Sequence, residues 1–136
     1  MKLTSTVISL AALFSLAPAD SAAKVTAYYN AKYDNKLSSI DTVTCYNDQP
    51  VIYHTLGSLP NFPHIGGLHY AACGSCFAVA YDTTKTVYVL IVDGSDGGLE
   101  LSFSTLQALG KSSGIHEKNY SFDVTATQVD KSKCGL

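Results

Sequence analysis

The residues of this 136-residue chain best placed to do chemistry are carboxylates around a glycine-rich loop. Asp93 ends the apolar run Thr86 to Val92 and opens onto Gly94-Ser95-Asp96-Gly97-Gly98. An acid leaving a buried strand into a flexible loop can meet a ligand, although the same side chain can equally satisfy loop amides. Together with Asp34 and Glu100, Asp93 could also supply the two carboxylates of a glycoside hydrolase, whose separation the sequence does not give. The ligand class suggested by composition is neutral. Nine Tyr, no Trp and a formal net charge of −2 exclude a nucleic-acid or anionic-membrane footprint. Tyrosine offers a flat apolar face with a hydroxyl at its edge, which suits a saccharide but also suits any β-strand.

The four cysteines are the second group: Cys45, Cys73, Cys76 and Cys134. Cys73-Gly74-Ser75-Cys76-Phe77 has the residue order that surrounds the nucleophile of papain-like proteases, yet the chain is too short for that fold. The only later histidine is His116, and no orienting Asn follows in a suitable position. A redox pair would need a βαβ setting, and His54, His64, His69 and His116 lie at no zinc-ligand spacing. The alternative is structural. Lys2 precedes an uncharged apolar run, Leu3 to Leu16, followed by small residues that allow cleavage after Ala19 or after Ala23. That is a signal peptide, residues 1–19 in the first case, rather than a membrane span. An exported chain with an even number of cysteines is expected to form disulfides. Of the three connectivities, pairing Cys73 with Cys76 is disfavoured because only Gly74-Ser75 separates them. Of the other two we take the sequential one.

The elements that must position these groups follow period two, which makes this a β protein. Val25–Tyr29 and Val43–Tyr46 read as short strands. Phe77–Tyr81 turns through Asp82-Thr83-Thr84-Lys85 into Val87–Val92, a hairpin whose second strand is apolar enough to be buried on both sides. Tyr120, Phe122, Val124 and Ala126 alternate with polar residues. One short helix is expected, capped by Ser104 and stopped at Gly110. Pro60 to Gly67 reads as a long ordered loop, since two prolines and two glycines fall within eight residues. Roughly 115 residues remain after cleavage, enough for one domain with an adequate core.

Several pieces recur together over almost all of that domain. They are Tyr29-Asn30 with Tyr33-Asp34, Cys45-Tyr46-Asn47, the stretch Thr55-Leu56-Gly57-Ser58-Leu59-Pro60-Asn61-Phe62-Pro63-His64-Ile65-Gly66-Gly67, Cys73-Gly74-Ser75-Cys76, Val92-Asp93 with Gly97-Gly98, and Gln128-Val129-Asp130 before Cys134. In this order they resemble the cerato-platanins, small secreted fungal proteins. The resemblance implies, for residues 24–136, a mainly β fold: a six-stranded double-ψ β-barrel like that of expansins, with one or two short helices. It also implies the disulfides Cys45–Cys73 and Cys76–Cys134.

The function implied by the resemblance is non-catalytic. Such a protein binds chitin fragments, that is N-acetylglucosamine oligomers, and cellulose as a further candidate, in a shallow groove. It loosens polysaccharide packing and is perceived by a plant receptor as an elicitor. Carried onto this sequence, the groove centres on Asp93 as acceptor for sugar hydroxyls, so Asp93→Asn should spare folding. Asn30, Tyr33, Asp34, Asp96 and Glu100 line the same groove, and Gly66, Gly67, Gly97 and Gly98 let backbone approach the ligand. Asn30 stands where the family usually has Asp, while Asp96 and Glu100 stand at its loop Arg and downstream Asn. Leu68 to Ala72 is shorter than usual, and Phe77 replaces a frequent Trp. No cofactor or metal is expected, and the protein is expected to be a monomer in the cell wall or medium. Asn119-Tyr120-Ser121 is a candidate N-glycosylation sequon. A weak endoglucanase using Asp93 as acid, and an elicitor recognised only through its surface, are the alternatives.

Overall fold

Strand alternation governs the architecture. In the computed structural model, which describes residues 22–46, 53–69, 73–82, 84–116 and 120–136, six strands close into a barrel. They are β1 (Ala22–Tyr29), β2 (Ile65–Leu68), β3 (Cys76–Ala80), β4 (Thr86–Asp93), β5 (Leu99–Leu101) and β6 (Ser121–Val129), in the spatial order β1-β5-β2-β4-β3-β6. Closure leaves no edge strand open to pairing with another chain. The β1–β5 and β2–β4 neighbours are parallel and the remaining pairs antiparallel.

The apolar run of β4 is explained by what lies on each side. Val89 and Ile91 join Ala27, Val79, Leu99, Leu101, Leu106 and Val124 in one core. Leu90 and Val92 point the other way, into a second core with Tyr33, Ile40, Val43, Leu56, Leu59 and Ile65. The expected burial on both sides holds. So does the β3–β4 hairpin, with Ala80 opposite Thr86 and Asp82 accepting from the Thr84 amide and hydroxyl at the turn. In β6 Val124 and Ala126 are buried while Ser121, Asp123 and Thr125 are exposed.

Three expectations are corrected. Val43–Tyr46 is not a strand. Ile40–Thr42 and Thr44–Tyr46 are 3-10 turns, because Ser39 caps the first by accepting from the Asp41 amide and Thr44 is drawn to Asp93. The helix, α1 (Phe103–Ala108), is capped by Ser102 rather than Ser104. The buried Ser102 hydroxyl accepts from the Thr105 amide and donates to the Pro63 carbonyl, so cap and core are one contact. Finally, the last part of the Pro60–Gly67 segment is β2, parallel to β4 and antiparallel to β5. Its glycines permit the pairing, for a Cβ on Gly66 would lie 2.4 Å from the Glu100 carbonyl oxygen.

The disulfides are Cys45–Cys73 and Cys76–Cys134, as expected, so no thiol of these four is available as nucleophile or metal ligand. The signal segment up to Ser21 and the sequon at Asn119 lie outside the described residues.

Candidate functional site

The site is built where β4 ends beside β2, whose other neighbour is β5, followed by β1. Asp93 lies at its floor, 4% exposed, and both carboxylate oxygens are engaged by the chain. Oδ2 accepts from the Lys32 ammonium at 2.5 Å and from the Tyr33 hydroxyl at 3.0 Å. Oδ1 accepts from the Thr44 amide and hydroxyl, each at 3.0 Å, and from the Gly94 amide at 3.1 Å. Burial by itself would raise this carboxyl. The Lys32 ammonium and the two Thr44 donors outweigh it and hold the group below the usual carboxylate range. Tyr33 is fully buried, and burial together with the Asp93 charge pushes its hydroxyl well above the ordinary value. A Cβ on Gly67 would meet that hydroxyl at 2.6 Å, which explains a glycine there.

Above this floor, Asn30 and Glu100 hold one another. Asn30 caps the 3-10 turn Ala31–Tyr33 by accepting from the Lys32 amide, and its Nδ2 donates to Glu100 Oε1 at 2.7 Å. Parallel pairing sets Tyr28 beside Glu100, and the ring of Tyr28 lies over Gly98, where a Cβ would approach its Cε2 to 2.8 Å. Ser95 donates to the Gly98 carbonyl and His69 pairs with the Ser95 carbonyl, so the loop carrying Asp96 is tied down.

A cavity of about 410 Å³ results, lined by Tyr28, Tyr29, Asn30, Asp96, Gly97 and Glu100. A second, of about 420 Å³, is lined by Tyr29, Asp34, Phe103, Ser104 and His116. Tyr29 is common to both, so the two cavities adjoin across its side chain. Its hydroxyl donates to Asp34, whose other oxygen accepts from the Phe103 amide at 2.7 Å at the start of α1. Burial and then the Asp34 hydrogen bond push the Tyr29 hydroxyl up to about 12, so it remains a donor. The His116 ring meets the Tyr29 ring edge-on, with centroids 5.6 Å apart.

Of the residues expected at the site, Asn30, Asp96, Gly97 and Glu100 share the first chamber and Asp34 lies in the second. Asp93 and Tyr33 lie beneath rather than within it. Gly66, Gly67 and Gly98 face the chain's own atoms, whereas Gly97 has open space before it. Sequence reasoning missed Tyr28, Phe103, Ser104 and His116 as lining, and Lys32 and Thr44 as supports. The adjacent pair Tyr28-Tyr29 at the end of β1 was a usable signal; no local pattern marks the others. Among the described residues no group of His, Cys, Asp and Glu is arranged to hold a metal ion.

These features define a class: a small closed six-stranded barrel, stapled by two disulfides, with an open tyrosine- and carboxylate-lined groove at one end of its sheet. The family model for cerato-platanin matches residues 25–136, and the chain belongs to the cerato-platanin family. It is 31% identical over 118 residues to the heat-stable 19 kDa antigen of Coccidioides immitis, covering 79% of each chain. The crystal structure of cerato-platanin 3 from M. perniciosa superposes with a TM-score of 0.70 at 32% identity, over 84% of this chain and all of that one. The solution structure of the fungal elicitor cerato-platanin matches with a TM-score of 0.64 at 26% identity, over 81% of this chain and 96% of that one.

Proposed function

We propose that this chain is an exported carbohydrate-binding protein that holds polysaccharide fragments of the chitin class in its two-chambered groove without cleaving them. The observation that carries the reading is the pair of adjoining cavities sharing Tyr29. Phenol rings supply faces for sugar rings, and Asp34, Asp96, Glu100 and Asn30 supply acceptors and a donor at the rim. Asp93 supports the groove from below by fixing Lys32, Tyr33 and Thr44, rather than touching the ligand. Absence of hydrolysis is favoured by the same geometry, because a glycosidase acid needs a raised pKa and Asp93 is held low. Polysaccharide loosening in an expansin-like manner and perception by a plant receptor rest on family membership.

The test is a calorimetric titration with oligomers of N-acetylglucosamine and of glucose, alongside an assay of reducing-sugar release. Binding without release is expected, and Tyr28→Ala should weaken it about tenfold, as expected for loss of a ring face. Soluble sugar produced by the wild type and abolished by Asp93→Asn would move the protein to the hydrolases. Binding to none of these oligomers would overturn the reading.

A further inference from the structure

Resting on that functional reading, we propose that the groove selects amino-sugar oligomers carrying free ammonium groups, the partly or fully deacetylated form of chitin. The argument starts from the chambers' chemistry. Each pairs an aromatic wall with an exposed or half-exposed carboxylate: Tyr28 and Tyr29 with Asp96 and Glu100 in one, Tyr29 and Phe103 with Asp34 in the other. Among the described residues neither has a lysine in its lining, and the chain has no arginine.

The cation nearest in sequence is Lys32, and it is committed to Asp93 under the groove. It therefore offsets the floor's charge, and none of the described lysines pairs with a wall carboxylate. Asn30 donates one of its two amide hydrogens to Glu100 and keeps that carboxylate at the groove wall. A neutral N-acetyl group carries no charge to meet these carboxylates. An ammonium at the same ring carbon finds acceptors and a negative field, and a tyrosine face beside it adds cation–π attraction.

The two chambers make this a property of an oligomer. They share the Tyr29 wall, whose hydroxyl is fixed by Asp34, and Asp34 is in turn fixed by the first amide of α1. A chain crossing Tyr29 places ammonium groups of different residues against Asp96 and Glu100 on one side and against Asp34 on the other. Exposed ion pairs are individually worth at most about fivefold in affinity, so selectivity grows with the number of residues seated.

The experiment compares tetramers of glucosamine, N-acetylglucosamine and glucose by calorimetry, at a pH where the amine is protonated and at two salt concentrations. The glucosamine tetramer should bind about tenfold more tightly than its acetylated counterpart, and its advantage should shrink as salt rises. In the double variant Asp96→Asn, Glu100→Gln the advantage of the glucosamine tetramer over the acetylated one should shrink to the part that Asp34 supplies. Asp34→Asn should reduce the gain from dimer to tetramer more for the glucosamine series than for the acetylated series. Equal or tighter binding of the acetylated tetramer, or an advantage insensitive to salt and to the double variant, overturns the proposal and leaves the functional reading standing. Failure of all three sugars to bind overturns both.

Discussion

Asp93 was recognisable in the sequence as an acid leaving a buried strand, and its position is as read. Its partners were not readable, because Lys32, Tyr33 and Thr44 lie 61, 60 and 49 residues away and only the fold brings them together. They give Asp93 a buried structural setting, so we expect Asp93→Asn to cost stability rather than to spare folding. An amide can replace the shape but not accept from an ammonium and four further donors with the same strength. We expect a loss of about 2 kcal/mol, the scale of a hydrogen bond to a charged group. The effect has a definite pH signature. A carboxyl held below its unfolded value contributes stability that is complete above about pH 4 and lost as pH falls through the folded value. The wild type should therefore lose more stability than Asp93→Asn between neutral pH and about pH 3. Urea unfolding followed by near-ultraviolet dichroism at several pH values measures this, and parallel curves for the two proteins would return Asp93 to the groove wall.

At the scale of elements, legibility followed strength of pattern. The β3–β4 hairpin, β6 and the first strand were readable because their alternation or continuous apolarity extends over five or more residues. The three-residue β5 and the glycine-rich β2 carry no such pattern, and their strand character comes from neighbours on both sides. Val43–Tyr46 misled for the opposite reason: β-branched and aromatic residues suggested a strand where the described residues offer no ladder partner and Thr44 bonds to Asp93 instead. Glycines expose the difference between serving the ligand and serving the sheet. Gly66→Ala forces a Cβ to 2.4 Å from the Glu100 carbonyl, a backbone atom within the β2–β5 pairing that cannot move alone. It should cost about 3 kcal/mol, the upper range for overpacking, and loosen Glu100 as well. Gly97→Ala meets open space, so its melting curve should stay within about 0.5 kcal/mol of wild type while its groove affinity changes. Equal thermal stability of the two variants would refute this division. Helix α1 gives a parallel case. Ser102→Ala removes a buried cap and should lose about 1 to 2 kcal/mol, whereas Ser104→Ala, at the position the sequence favoured, should lose little.

Over the whole molecule, two disulfides leave the same short stretch, Cys73 to Cys76, for different surroundings. Cys76–Cys134 is fully buried in the second core, where Cys76 is the first residue of β3 and Cys134 closes the C-terminal 3-10 turn. Cys45–Cys73 lies at the surface beside Tyr46 and Gly74, with Cys73 exposed. Sequence order and the family pattern were enough to pair them, but not to tell them apart, since burial depends on how the 3-10 segment lies against the barrel. Thiol exchange requires a reductant's thiolate to reach a sulfur, so exposure should order their reduction. With a dithiol reductant in increasing concentration, Cys45 and Cys73 should become alkylated first while Cys76 and Cys134 stay protected. The closed loops span 28 and 58 residues, and in the chain-entropy model are worth about 3.5 and about 4 kcal/mol. Losing the first alone should leave a folded barrel of lower melting temperature. Cys45 follows Thr44 directly, and Thr44 gives two of the five hydrogen bonds to Asp93, so that intermediate should also hold its groove floor less firmly. Peptide mapping after graded reduction, with oligosaccharide affinity measured on the singly reduced species, checks both steps. Simultaneous labelling of all four cysteines would mean that the barrel opens before either bond yields, and unchanged affinity in the singly reduced protein would separate the Cys45 strap from the groove.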